Sequence, residues 1–207
     1  MSEPFKDELI HDEPIHDEPV IPEVLEHEVL YKGRIQSFVK ERFVYNDSEI
    51  VREFFQHPGA VAVVAIDDDD RVLVIQQYRH PIRSREWEIP AGLLDVVDEP
   101  LLEAAKRELA EEVDLEAAEW EILADSMTSP GGSDERVRIY LARGLTATHS
   151  PFDREEEEAD IVIRWIPLDE LVDAIAAGTI RNSLLQIGVL AAFAARERGL
   201  GTLRREQ

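Results

Sequence analysis

The 207-residue chain has no cysteine, and its 22 lysines and arginines stand against 45 aspartates and glutamates, for a formal net charge of −23. Without thiols, disulfide scaffolds and thiolate zinc or iron–sulfur sites are excluded. Because an acidic surface repels phosphate backbones, we expect no nucleic-acid partner. No apolar stretch reaches the roughly 18 residues of a membrane span, and no basic start leads into an apolar run. We therefore expect no membrane association and predict a cytoplasmic protein.

The N-terminus differs in composition from the rest of the chain. Residues 1–22 hold four of the 11 prolines and a repeated His-Asp-Glu-Pro unit, and residues 1–30 contain ten acids against one lysine. We predict that residues 1–22 form a disordered acidic tail, and we assign them no chemistry. The remainder contains enough of the 44% hydrophobic residues to bury a core in one domain, or one domain with a small appendage.

Past the tail, β-rich runs alternate with turn residues. They predict three N-terminal strands within residues 23–57, at Val24–Tyr31, Ile35–Tyr45 and Glu49–Phe55. Two apolar runs, Ala60–Ile66 and Val72–Tyr78, predict a buried hairpin. Four aspartates at 67–70 separate them, and we interpret these as a solvated turn in preference to a metal-binding loop.

The second half of the chain mixes helices with strands. Leu102, Leu109 and Val113 recur at helical spacing and predict a helix from about Pro100 to about Asp114. The remaining predicted elements are strands at Glu119–Met127, Glu135–Ala142 and Ile161–Ile166, and helices at Leu168–Ala177 and Ser183–Arg198. This order predicts an α/β or α+β sandwich. The last helix is apolar around most of its circumference, which suits either the core or a partner interface.

Three glutamates share one face of the predicted 100–114 helix. Glu108, Glu111 and Glu112 project away from the apolar side, and we expect Glu112 to be exposed. Just before the helix, a strand runs into Pro90-Ala91-Gly92, where a bend exposes carbonyls and a glycine permits close approach. Carbonyl and carboxylate oxygens together would suit Mg²⁺ or Mn²⁺ and, through the metal, a phosphate-bearing substrate. The alternative is a charged face in solvent.

The segment from Gly92 to Leu115 resembles the Nudix box. Glu99 is followed, after seven residues, by Arg107-Glu108-Leu109-Ala110-Glu111-Glu112. The pattern departs from the box twice: six residues, not five, separate Gly92 from Glu99, and Asp114 replaces the final glycine, where we expect left-handed backbone. The resemblance implies a Nudix hydrolase of the α/β class, an α/β/α sandwich with a mixed sheet over residues 58–200, preceded by an N-terminal β-strand subdomain at 23–57.

The resemblance also implies roles for individual residues. Glu108 and Glu112 would be the principal metal ligands, and Glu111 a shared or indirect ligand that takes part in catalysis. The carbonyl of Ala91 would be a backbone ligand. Glu99 and Arg107 would brace the loop and helix through an ion pair.

Further features resemble the ADP-ribose pyrophosphatase subgroup of that family. Pro130 lies 15 residues after Leu115 in a Ser-Pro-Gly setting, although an ordinary turn is an equal alternative. Gln77-Tyr78-Arg79 precedes the stretch from Trp87 to Gly92, which implies that Arg79 contacts a substrate phosphate and that Glu88 belongs to the substrate site.

Two more assignments follow from the same resemblance. In the acidic run 153–160, Glu158 is the implied catalytic base or late-arriving metal ligand, with Glu157 as the alternate. Phe38 and Arg52 are the implied partners that sandwich the adenine, while Phe38 could equally be strand core.

The implied reaction is Mg²⁺-dependent hydrolysis of ADP-ribose to AMP and ribose 5-phosphate by a homodimer, with the 23–57 strands on the dimer and adenosine side. One alternative is another nucleoside diphosphate sugar, such as GDP-mannose. A second is a non-catalytic sensor that binds ADP-ribose, which the intact glutamates disfavour.

Overall fold

Three β-sheets and three α-helices form the part of the chain that the structure, a computed structural model, describes: residues 15–149, 160–199 and 203–204. In chain order the elements are β1 (Val24–Lys32), β2 (Ser37–Tyr45), β3 (Ser48–Gln56), β4 (Ala60–Ala65), β5 (Arg71–Arg79), β6 (Ser84–Glu88), β7 (Ala91–Leu93), α1 (Leu101–Val113), β8 (Leu115–Met127), β9 (Arg136–Ala147), β10 (Val162–Pro167), α2 (Leu168–Ala176) and α3 (Ser183–Arg198). No helix in the described ranges is long and apolar enough to cross a membrane.

The central sheet has the strand order β7-β4-β9-β8 and carries the core. β4 runs parallel to β9, and the other pairs are antiparallel, so the sheet is mixed. Because side chains alternate along a strand, Val61 and Val63 pack with α1, whereas Ala62 and Val64 pack with α2 and α3. Burial of both faces produces the α/β/α sandwich that the sequence predicted.

β4 and β5 do not form the predicted hairpin. A single bridge joins Ile66 to Val72, and β5 then enters a second sheet, between β10 and β6. The prediction is wrong because a continuous apolar run has the same pattern whether its strand pairs with the preceding strand or enters another sheet. The aspartate turn itself is confirmed: the Asp67 carboxylate accepts the N–H groups of Asp69 and Arg71 at 3.1 and 2.9 Å.

The helix ends follow local sequence signals. α1 begins after Pro100 and ends at Asp114, whose left-handed φ of 55° confirms the expectation for that position. α3 begins where the Asn182 side chain accepts the N–H of Leu185. Its residues Leu185 and Val189 belong to the core cluster against β4, so the core alternative for this helix is confirmed.

The N-terminal strands form a separate antiparallel sheet, β1-β2-β3, as predicted. Backbone hydrogen bonds link this sheet to the loop between β8 and β9 at Phe55. The Phe55 N–H donates to the Gly132 carbonyl at 2.9 Å, and the Phe55 carbonyl accepts the Asp134 N–H at 3.2 Å. Residues 15–23 form neither helix nor strand, and most of the predicted tail, residues 1–14, lies outside the described residues. The division at 22 and 57 stays a prediction.

Candidate active site

Gly92 on β7 and Glu108 on α1 are in direct contact. A Cβ atom built on Gly92 would lie 1.8 Å from the Glu108 carboxyl carbon. The Glu108 carboxylate therefore occupies the space that a side chain at position 92 would fill. The Glu108 side chain is 13% exposed, and burial raises the pKa of its carboxyl above the ordinary value against the opposing effect of Arg107. A carboxylate in this setting gains stability from a nearby cation.

Glu112 lies one helical turn further along and is buried, with only 5% exposure. The expectation that it is exposed is wrong, because β7 packs beside this part of α1 and helical periodicity does not show that contact. One carboxylate oxygen of Glu112 accepts the Ala91 N–H at 2.9 Å. The contact places the Glu112 carboxylate beside Ala91, the residue whose carbonyl is the implied backbone ligand.

Arg107, next to Glu108 on α1, donates hydrogen bonds to four carboxylate oxygens. Its Nε and Nη2 donate to the two oxygens of Glu99 at 3.0 and 2.9 Å, and these hydrogen bonds lower the pKa of Glu99. Its Nη1 donates to Glu108 at 2.6 Å and to Glu111 at 3.1 Å. The ion pair implied for Glu99 and Arg107 is therefore present. Arg107 also bridges Glu108 and Glu111, two glutamates of the box.

The oxygen atoms at this junction are ligands of the kind that a hard divalent cation prefers. Ala91, Glu108, Glu111 and Glu112 supply only oxygen atoms at one junction of strand and helix, and Gly92 leaves room for a carboxylate there. In the described ranges, no group of three or more Asp, Glu or His side chains is spaced as a metal site. Here Glu108 and Glu111 accept from Arg107, and Glu112 accepts from a backbone amide.

Arg79 and Glu88, both predicted on the substrate side, are paired with each other. Arg79 Nε donates to one oxygen of Glu88 at 2.9 Å, and Nη2 donates to the other at 2.7 Å. Only Ile89 and Pro90 separate Glu88 from Ala91, so the pair adjoins the strand that carries the implied backbone ligand.

Phe38 and Arg52 lie on opposite faces of the N-terminal sheet. The register pairs Phe38 with Phe55, and Arg52 with Glu41, three positions along β2. Since successive side chains alternate between faces, one chain does not present both residues to the same base. The Phe38 ring lies 5.0 Å from that of Phe55, which is hydrogen-bonded to the loop carrying the exposed Pro130.

The chain is similar in sequence to known proteins. A family model described as the NUDIX domain matches residues 56–186. An ADP-ribose pyrophosphatase of Mycobacterium tuberculosis is 44% identical over 171 residues, which is 82% of each chain. The chain belongs to the Nudix family.

Two further proteins are similar to this chain, one in sequence and one in fold. A methanol dehydrogenase activator of Bacillus methanolicus is 34% identical over 166 residues, 80% of this chain and 89% of the other. A crystal structure of an ADP compounds hydrolase superposes with a TM-score of 0.71 over 89% of this chain and 99% of that one. At 21% identity, the latter likeness supports the fold alone.

Two predicted site residues, Glu157 and Glu158, lie outside the described residues. Gln77, which the sequence analysis gives no role of its own, is buried beside Glu88, with its Nε2 at 3.5 Å from a Glu88 oxygen. The signal that could have found it is its inward position on β5, where it follows the apolar Leu73 and Ile75 at alternate positions.

Proposed function

We propose that the protein hydrolyses the pyrophosphate of ADP-ribose to AMP and ribose 5-phosphate, using Mg²⁺ or, in its place, Mn²⁺. The observation that carries this proposal is the intact set of box glutamates, with Glu108 against Gly92 and Glu112 against Ala91, in a chain 44% identical to a mycobacterial enzyme named for that activity. The proposal includes a cytoplasmic location without a nucleic-acid or membrane partner, which cell fractionation tests.

The residues divide the work of the reaction between holding the metal and holding the substrate. Ala91, Glu108 and Glu112 would hold the metal, with Glu111 beside them. When bound, Mg²⁺ neutralises pyrophosphate charge and lowers the pKa of the attacking water. Arg79 binds a substrate phosphate through directed N–H donors. Glu158, or alternatively Glu157, would accept the proton of the water as its oxygen attacks one phosphorus. The bond from that phosphorus to the bridging oxygen breaks, and the two halves leave as AMP and ribose 5-phosphate.

A hydrolysis panel of ADP-ribose, GDP-mannose and NADH, run with and without EDTA, tests the substrate. We expect ADP-ribose to have the highest kcat/KM and EDTA to abolish its turnover. Faster hydrolysis of another compound would reassign the substrate within the family. Tight ADP-ribose binding without turnover of any compound would support the sensor alternative instead.

Gly92→Ala tests the metal site without removing a carboxylate. The new methyl group occupies the space of the Glu108 carboxyl, so we expect Mg²⁺ affinity, measured by titration calorimetry, to fall roughly 10–100-fold. Gly131→Ala is the matched control for affinity, because a Cβ there meets no atom within 4 Å. Equal Mg²⁺ affinities in the two variants would contradict the assignment.

We also propose a homodimer with composite adenosine sites. Every residue of β1 is exposed, and Phe38 and Arg52 lie on opposite faces, so a base held between them requires one residue from each copy. Sedimentation should give twice the chain mass of 23.6 kDa.

Coexpression of two variants tests the shared site directly. Phe38→Ala and Arg52→Ala should each lose activity as pure homodimers. A mixed dimer would contain one site with both residues intact and should recover activity. Recovery fails if each site draws both residues from one copy.

A further inference from the structure

Glu88 is a charged side chain in a buried position that the Nudix box does not explain. It ends β6 and pairs in register with Ile75, so its side chain shares a face with the inward residues of β5. Gln77, Glu88 and Glu112 are the buried polar or charged residues among those described. Removing a carboxylate from water is costly unless it is paired and hydrogen-bonded, so the partner of Glu88 matters.

That partner is Arg79, and the contact has the two-point geometry of an arginine fork. Two separate nitrogens of Arg79 donate to the two oxygens of Glu88, at 2.9 and 2.7 Å. Because the guanidinium is planar, two anchored N–H groups fix the plane and hence the direction of the others. The Glu88 side chain is 6% exposed and that of Arg79 is 42% exposed, so the carboxylate lies beneath a guanidinium that reaches the surface.

We propose that Glu88 is a positioning residue, which holds Arg79 in the orientation that binds a substrate phosphate and does not itself contact the substrate. This rests on the proposed function. Its burial and the use of both its oxygens separate this role from the direct substrate contact implied by sequence resemblance. An arginine already restrained loses less side-chain entropy when the phosphate arrives. Glu88 also offsets one positive charge, so Arg79 acts through directed donors more than through net charge.

β6 supplies a matched control two residues earlier. Glu86 lies on the same face of the strand, and one of its oxygens is 3.5 Å from Nη2 of Arg181. The Glu86 side chain is 14% exposed, while Arg181 is 69% exposed. Glu86→Gln therefore makes the same substitution at a largely buried glutamate of the same strand whose arginine neighbour is Arg181 and not Arg79.

A double-mutant cycle on Glu88 and Arg79 tests the inference. Glu88→Gln, Arg79→Ala, their combination and Glu86→Gln are compared by kcat, KM and melting temperature. We expect Glu88→Gln to lower kcat/KM roughly 10–100-fold, in line with the loss of a charge-assisted hydrogen bond. In the Arg79→Ala background the same change should have almost no further effect on kcat/KM. Glu86→Gln should stay within about twofold of the wild type.

Two outcomes would overturn the inference. Glu88 acts on the substrate independently of Arg79 if Glu88→Gln lowers kcat/KM by the same factor in both backgrounds. It is only a structural ion pair if Glu88→Gln changes the melting temperature while the folded enzyme keeps wild-type kcat/KM. The cycle uses whichever panel compound the wild type hydrolyses fastest, or ADP-ribose binding if it hydrolyses none. A failed substrate assignment is thereby distinguished from a failed inference.

Discussion

The central sheet and the N-terminal sheet both contain apolar side chains, but those of the central sheet are buried and most of those of the N-terminal sheet are not. All six residues of β4 are buried, whereas all nine residues of β1 are exposed. Within β1 to β3, only Val39 is among the buried core residues. Helices cover both faces of the central sheet, and no described helix covers the N-terminal sheet. The contrast teaches that one chain completes the core around the glutamates but leaves apolar surface on the N-terminal strands, which is the surface that the proposed dimer would bury.

Charge is distributed with the same contrast. In the N-terminal sheet, Lys40 pairs with Glu28 at 2.8 Å and Arg42 with Glu49 at 2.7 Å, with every side chain at least 36% exposed. Such surface pairs contribute little to stability. At the candidate active site the carboxylates of Glu88 and Glu108 are largely removed from water, so their partners determine their geometry.

Gly188→Val should have the largest effect on stability, because it tests the tight packing of the central sheet. A Cβ at Gly188 would lie 2.7 Å from a methyl carbon of Val64 and 3.2 Å from one of Ile89. We expect the free energy of unfolding in urea to fall by about 3 kcal/mol. Gly131→Val, where a Cβ meets nothing within 4 Å, should change it far less. Equal losses would mean that α3 does not pack closely on β4.

A pair of valine truncations compares the two sheets directly. Val64 is fully buried on β4, and Val51 on β3 is 45% exposed. Val64→Ala should cost about 1–2 kcal/mol of unfolding free energy, and Val51→Ala less than about 0.5 kcal/mol. A similar loss of unfolding free energy at both positions would contradict the contrast between the sheets. It would mean that a second copy of the chain buries Val51 in solution.

The sequence predicted those features that depend on near neighbours along the chain. The bounds of α3, the left-handed Asp114 and the register of the box glutamates on α1 all follow from local spacing and capping. Burial of Glu112 was not predicted, since it depends on β7 packing beside α1. The separation of β4 and β5 into two sheets, and the contact of Arg79 with Glu88, likewise depend on which distant strands pair.

The smallest predicted effect concerns an ion pair that belongs to the central sheet but is partly exposed. Asp125 on β8 accepts from Arg138 at 2.7 Å and lies 3.1 Å from Arg204, and the hydrogen bond from Arg138, with further help from Arg204, lowers its pKa below the ordinary 3.8. A carboxyl whose pKa is lowered by folding stabilises the fold at pH values above its pKa in the unfolded chain. This contribution disappears as the pH falls through its pKa in the folded protein. Wild type should therefore exceed Asp125→Asn in unfolding free energy near neutral pH, and the difference should shrink below about pH 4. Urea titrations across this range measure it, with Asp68→Asn on the exposed aspartate turn as the charge control. A difference that does not change with pH would show that this pair, like those of the N-terminal sheet, contributes little.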